Sequence, residues 1–174
     1  MPAAASRPSI LVTRKLPEAV ERRAARDYDA RLNGPDRPLD AAAMAAAAEG
    51  CAGVLVCAAD KVGADVIDRL PASVRIIATF SVGTDHIDLA AAKRRGIAVT
   101  NTPDVLTDAT ADIALLLMLQ AARRAGEGER MVRAGRWGGW APTQLLGTHM
   151  TGKTVGIVGM GRIGQALARR ARGF

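Results

Sequence analysis

The alternation of short β-type runs with helical stretches constrains the fold of this chain more than any other feature. Four runs are predicted as strands: Ser9 to Thr13, Gly53 to Cys57, Arg75 to Phe80 and Ile97 to Thr100. The helices predicted between them end at glycine or proline, as at Gly50, Pro71 and Gly96. Such alternation is typical of a parallel sheet wrapped by helices. We therefore expect residues 7 to 101 to form an α/β unit of about five strands.

Two more helices are predicted after this unit, from about Val105 to Arg124 and from about Glu127 to Ala134. The apolar content of the first nearly encircles it between Ile113 and Leu119, so we expect it to be buried on several sides. Residues 136 to 151 read as a loop that carries Trp137 and Trp140.

Composition excludes several classes of function. The net charge is +7, but the basic residues are mostly arginines near predicted helix ends, without interleaved aromatics, so we expect no nucleic-acid binding. The longest apolar run, Ile113 to Leu119, is far shorter than the roughly 20 residues that span a bilayer, so we expect no membrane segment. The N-terminal stretch lacks the apolar core of a signal peptide. With Cys51 and Cys57 predicted as buried free thiols, these features favour a cytoplasmic protein.

A glycine-rich turn, Gly159-Met160-Gly161-Arg162-Ile163-Gly164, directly follows a strand predicted at Thr154 to Val158. This context is typical of dinucleotide binding: the glycines allow a tight turn, a close approach to pyrophosphate and close packing of the following helix. The amides of Arg162 and Ile163 would face the pyrophosphate. The alternative is a strand-to-helix turn without a ligand. Because the chain ends ten residues after Gly164, we expect a truncated nucleotide-binding domain.

A second candidate site is the loop that begins at Ser81, at the carboxyl end of a predicted strand, where open α/β sheets bind ligands. Free amides around Gly83 could hold a carboxylate. The alternative is an ordinary loop in which Asp85 caps the next helix. Asp85, His86 and Asp88 could also be read as metal ligands, but capping explains the two carboxylates better, and we predict no metal site. No nucleophile–base pair is evident.

Four motifs in order make the sequence specific: Thr79 to Asp88, Arg95 to Ile97, Asn101 to Asp108 and Gly159 to Ala166. Together they strongly resemble the D-isomer-specific 2-hydroxyacid dehydrogenases. Within that family the TPDVLTD segment and the tryptophan loop most resemble the glyoxylate/hydroxypyruvate reductases. The resemblance covers about residues 50 to 174 and is looser before them.

The resemblance implies a two-domain enzyme that reduces a 2-oxo acid with NAD(H) or NADP(H). Residues 1–101 would be a flavodoxin-like substrate domain without its C-terminal return, and residues 102–174 the first strand and helix of a Rossmann coenzyme domain. Four residues would bind substrate: Ser81, Val82, Gly83 and Trp140. Six would bind the cofactor: Thr107, Gly159, Gly161, Arg162, Ile163 and Gly164.

The family's catalytic arginine, glutamate and histidine match nothing before residue 174, so we assign no catalytic residue and expect this chain alone to be inactive. The resemblance also implies a homodimer formed through helix 105–124 and the loop of Trp137 and Trp140, with Trp140 reaching toward the partner's site. Three alternatives remain: an inactive fragment, a non-catalytic dimerisation or binding module, and a corepressor-type relative on the same fold.

Overall fold

The computed structural model describes residues 7–174, so the first six residues, part of the stretch assessed for a signal peptide, lie outside the described residues. The chain divides into two compact units between Val105 and Leu106. The first unit contains β1 Ser9–Val12, α1 Glu18–Asp27, β2 Asp29–Leu32, α2 Ala41–Ala47, β3 Gly53–Cys57, α3 Ala64–Arg69, β4 Ile76–Phe80, α4 Leu89–Arg94 and β5 Ala98–Thr100. The second contains α5 Thr107–Ala122, α6 Ala125–Arg133 and α7 Arg162–Ala171.

The sheet of the first unit has the order β2-β1-β3-β4-β5, and every pairing is parallel. The chain starts at β1, moves outward to β2, then crosses back to β3 and continues to the other edge. This order is the flavodoxin-like one, in which ligands bind at the carboxyl ends of the strands. The predicted α/β class and the flavodoxin-like parallel sheet are thus confirmed.

Apolar side chains on one face of the sheet form the core of the first unit. Val54, Val56 and Ile77 are at most 2% exposed and belong to the same buried cluster as Met44 of α2 and Ile67 of α3. Successive side chains of a strand point to opposite faces. The neighbouring positions on the other face are accordingly more open, and Ile76 and Phe80 are 39% and 51% exposed.

The sequence missed one strand and predicted one that does not form. In both cases the outcome depends on hydrogen bonding to a neighbouring strand, which the local sequence does not show. The edge strand β2 was not predicted, since its sequence DARL holds a single large apolar residue and pairs with β1 alone. The run from Thr154 to Val158 was predicted as a strand but pairs with none among residues 7–174. All described strands lie in the first unit, and Val158 is fully exposed.

The expectation that α5 is buried on several sides is wrong for this chain. Ala111 is the only residue of α5 that is buried, whereas Ile113 and Leu117 are 55% and 58% exposed. Within the second unit α5 packs mainly against α7 and more weakly against α6. These two neighbours leave much of its apolar surface uncovered.

Both cysteines are free thiols, as predicted, although Cys57 is half-buried rather than fully buried. Within the described part of the chain, no helix has both the length and the apolarity needed to cross a membrane.

Candidate functional site

The loop after β4 has its backbone held at three successive carbonyls. The amide of Thr102 donates to the Ser81 carbonyl at 2.9 Å, and the Asn101 side chain (Nδ2) donates to the Val82 carbonyl at 2.7 Å. The Ser81 hydroxyl donates to the Gly83 carbonyl at 2.7 Å. Since a trans peptide holds its C=O and the next N–H on opposite sides, these contacts also fix the directions of the amides that follow.

The Val82 and Gly83 amides are therefore oriented donors near the surface. The ladder between β3 and β4 ends at the pair Cys57 and Phe80, so β3 has no residue opposite Val82. Val82 is half-buried and Gly83 is exposed, so this part of the loop lies at the surface. Consecutive oriented amides can bind a carboxylate.

A chain of hydrogen bonds links this loop to β4 and fixes its donors. The one proton of the Ser81 hydroxyl goes to the Gly83 carbonyl, so the Thr79 hydroxyl, 2.7 Å away, must donate to Ser81. Thr79 then accepts from His86 Nε2 at 2.9 Å. His86 thus carries a proton on Nε2, and its role in the described structure is to brace the loop.

The two carboxylates of this loop have different roles from those predicted. Asp88 caps α4, because its Oδ1 accepts from the Ala91 amide at 2.8 Å. The prediction that Asp85 is the cap is wrong. The Asp85 carboxylate lies beside Gly83, where a Cβ would be 3.0 Å from its Oδ2. Among residues 7–174 no group of three or more His, Cys, Asp or Glu side chains could hold a metal ion.

A buried carboxylate, Asp60, lies at the carboxyl ends of the adjacent strands β1 and β3. Asp60 is 5% exposed and accepts from the Thr13 hydroxyl at 2.6 Å and from the Cys57 amide at 2.9 Å. Burial, and then the charge of Asp60, raise the pKa of the Cys57 thiol. These contacts join the ends of the two strands.

In the glycine turn of the second unit, the backbone excludes a side chain at two of the three glycines and leaves open space at the third. Gly159 has φ +98°, a conformation that other residues rarely adopt. A Cβ on Gly164 would lie 2.1 Å from the Gly159 carbonyl oxygen, so no side chain fits there. A Cβ on Gly161 would meet nothing within 4 Å, so its glycine leaves free space beside the backbone.

The amino end of α7 follows directly and is suited to a negatively charged group. Gly161 is its N-cap, makes no side-chain cap hydrogen bond, and the first turn holds no acidic residue. The first backbone bond of the helix runs from the Gln165 amide to the Gly161 carbonyl at 2.9 Å, so the glycine turn leads directly into the first helical turn. Helix ends of this kind bind phosphate groups, so the turn fits a cofactor pyrophosphate.

The two other predicted site residues lie elsewhere in the second unit. Thr107 is the first residue of α5. Trp140 is 94% exposed, and its ring makes an edge-on contact with Trp137 at a centroid distance of 5.7 Å. The structure thus groups Ser81, Val82 and Gly83 in one loop of the first unit and Gly159 to Gly164 in one turn of the second.

Sequence reasoning missed the residues that brace the first loop, namely Thr79 and Asn101. The available signal was the position of Asn101 directly after a predicted strand. The carboxyl ends of adjacent parallel strands meet at one edge of a sheet, so a polar residue there can reach the neighbouring loop.

Comparison with known proteins gives a consistent result. Residues 10–171 match the family described as D-isomer specific 2-hydroxyacid dehydrogenase, catalytic domain. The chain is 48% identical to glycerate dehydrogenase of Hyphomicrobium methylovorum and 43% identical to glyoxylate reductase of Thermococcus litoralis, each over 97% of its length and 52% of the relative. It also matches the NADPH-dependent glyoxylate/hydroxypyruvate reductase of Sinorhizobium meliloti, solved with NADP and malonate, at 38% identity and a TM-score of 0.80. That match covers 97% of this chain and 51% of the reductase.

The chain therefore spans about half the length of the relatives that it matches.

Proposed function

Because this chain belongs to the D-isomer specific 2-hydroxyacid dehydrogenase family, we propose that it is part of an enzyme that reduces a small 2-oxo acid to the 2-hydroxy acid. Glyoxylate and hydroxypyruvate are the proposed substrates, and relatives named glyoxylate reductase and glycerate dehydrogenase support this choice. In this reaction the C2 carbon gains a hydride and its oxygen gains a proton. We assign neither the proton donor nor its supporting residues to residues 1–174.

The loop after β4 would hold the substrate carboxylate. The amides of Val82 and Gly83 are oriented by the bonds to the carbonyls that precede them. Ser81 would act within the loop, since its hydroxyl donates to the Gly83 carbonyl. Two N–H donors match the two oxygens of a carboxylate, and these neutral backbone groups can bind it without a positively charged side chain.

The single observation that carries the cofactor proposal is the glycine turn at the start of α7. Its glycines provide the positive φ, the open approach and the close helix contact that a dinucleotide turn needs. The backbone of Gly161, Arg162 and Ile163 would hold the pyrophosphate, with Thr107 nearer the nicotinamide. NAD or NADP, once bound, supplies the hydride.

We further propose that the protein is a homodimer. Leu116 and Leu117 of α5 are 47% and 58% exposed, and Trp140 is 94% exposed. Large apolar and aromatic side chains of this kind are typical of protein interfaces. Analytical ultracentrifugation tests the proposal: a dimer at micromolar concentration supports it, and a monomer there contradicts it. The two free thiols favour a cytoplasmic location.

Isothermal titration calorimetry of this chain tests the proposed binding functions separately. We expect NADPH or NADH to bind, and oxalate, which presents the carboxylate of a 2-oxo acid analogue, to bind as well. With no proton donor assigned, we expect no oxidation of NADPH when glyoxylate is added. Binding of neither dinucleotide would refute the cofactor proposal, and turnover of glyoxylate would show that residues 1–174 contain a proton donor.

A further inference from the structure

We infer that Asn101 is a positioning residue, whose side-chain amide holds the Val82 carbonyl so that the Gly83 N–H faces the substrate carboxylate. The inference rests on the proposed function, because it concerns the same carboxylate site. It adds a residue that lies outside the loop itself, directly after β5.

The contact holds the middle one of three successive peptide carbonyls in the loop. Asn101 Nδ2 lies 2.7 Å from the Val82 oxygen. The carbonyl before it is held by the backbone amide of Thr102, and the carbonyl after it by the hydroxyl of Ser81. The Val82–Gly83 peptide is thus held by the side chain of the residue that directly follows β5.

Glycine makes this contact important. Gly83 is exposed and has no side chain to anchor it. Glycine also has more backbone freedom than any other residue, so an untethered Val82–Gly83 peptide can rotate. The peptide is trans, so holding the Val82 oxygen directs the Gly83 N–H to the opposite side.

A carboxylate beside the loop makes the direction of the two amide N–H groups more important for binding an anion. The Asp85 carboxylate lies next to Gly83, where its Oδ2 would be 3.0 Å from a Cβ. A bound carboxylate would be repelled by this group, so it binds well only where both amide donors point at it. Loss of the hydrogen bond between Asn101 and the Val82 carbonyl therefore lowers the affinity for an anion.

The chemistry of the contact also specifies the side chain. The Val82 carbonyl is an acceptor, so residue 101 must donate, which asparagine does through its amide group. Aspartate has nearly the same shape but only accepts when ionised. Asn101→Asp therefore removes the bond with little change in volume but adds a negative charge, whereas Asn101→Ala removes the whole group without adding charge, so the alanine variant isolates the loss of the bond.

Asn33 provides a matched control in the same unit. Its side-chain amide also bridges backbone carbonyls, with Nδ2 at 2.7 Å from the oxygens of Thr13 and Arg37. The loop after β4 contains neither acceptor. Asn33→Ala thus removes a comparable brace without touching the proposed site.

The test is an NMR titration of the ¹⁵N-labelled 174-residue chain with oxalate, in the original protein and in the variants Asn101→Ala, Asn101→Asp and Asn33→Ala. Each variant's melting temperature is measured alongside. In the original protein we expect the amide signals of Val82 and Gly83 to shift. In both Asn101 variants oxalate should bind about fivefold more weakly or worse, the loss that one net hydrogen bond represents. Asn33→Ala should bind oxalate as the original does, even where it melts lower.

The outcomes separate the inference from the proposed function. If Val82 and Gly83 shift in the original protein and the Asn101 variants bind equally well, the positioning role is wrong while the carboxylate site stands. Equal weakening by Asn33→Ala would also overturn the role, since it would show a general effect of stability. If oxalate does not shift Val82 or Gly83 in the original protein, the carboxylate site itself fails, and the role of Asn101 fails with it.

Discussion

Replacing Gly164 with alanine tests the contact that closes the glycine turn. The new Cβ would lie 2.1 Å from the Gly159 carbonyl oxygen and 3.2 Å from its carbonyl carbon. Because both atoms belong to the backbone, no side-chain rotation relieves the overlap, and either the turn or the start of α7 has to move. Overpacking of this kind costs about 1–3 kcal/mol, and the upper end applies where backbone must shift. Alanine regains roughly 1 kcal/mol of helix propensity over glycine, so we expect a net loss of about 2 kcal/mol.

Gly161→Ala is the matched control, three residues earlier in the same turn. Its Cβ would meet nothing within 4 Å, and its φ of −72° suits alanine. Alanine is a poorer N-cap than glycine, so we expect a loss of about 1 kcal/mol or less. The methyl group would, however, occupy the space through which a pyrophosphate approaches. This variant should therefore lose dinucleotide affinity while it keeps most of its stability.

Urea unfolding followed by tryptophan fluorescence measures both effects on stability, because Trp137 and Trp140 are the chain's two tryptophans and both lie in the second unit. Calorimetry with NADPH measures the affinity of the Gly161 variant. Equal urea midpoints for Gly164→Ala and the original protein would contradict the predicted backbone overlap. A Gly161→Ala variant that is less stable than Gly164→Ala would contradict it as well.

Two further predictions concern the first unit. Hydrogen bonds from the Arg14 side chain and then from the Lys15 amide lower the pKa of Asp36 from 3.8 to about 2. The ionised Asp36 carboxylate therefore stabilises the fold fully above about pH 4, and this contribution disappears as the pH falls toward 2. The urea midpoints of the original protein and of Asp36→Asn should converge over that interval. A constant difference between the midpoints would contradict a stabilising Arg14–Asp36 pair. Asp88→Ala removes the α4 cap and should lower the free energy of unfolding in urea by about 1 kcal/mol. Asp85→Ala removes no cap and should change the free energy of unfolding by less than about 0.5 kcal/mol. Equal losses would show that the capping assignment is wrong.

The sequence predicted the fold where the local pattern and the tertiary pairing agree. The runs GVLVC and RIIATF are continuous and apolar, as central parallel strands require, and both became strands. The edge strand DARL carries no such pattern, since it has one neighbour and an exposed surface. The run from Thr154 to Val158 has the pattern of a strand but no partner within the described chain, and a strand forms only where another strand accepts its hydrogen bonds.

The glycine turn could be predicted from the sequence, whereas the contacts that hold the loop at Gly83 could not. The glycines from Gly159 to Gly164 act through their own backbone, so their spacing alone is informative. The loop at Gly83 depends on contacts from Asn101 and Thr102, which are distant in sequence and adjacent only in the folded sheet. Capping by Asp88 rather than Asp85 depends on where α4 begins, a boundary that sequence patterns place only to within about two to four residues.

We propose that this chain holds a carboxylate at the Val82–Gly83 loop and a pyrophosphate at the Gly161–Ile163 turn. Mapping amide shifts of the ¹⁵N-labelled chain with NADPH alone, oxalate alone and both together tests it most directly. We expect the largest NADPH shifts at Gly161, Arg162 and Ile163, and the largest oxalate shifts at Val82 and Gly83. Shifts centred on other residues, or none with either ligand, would contradict it.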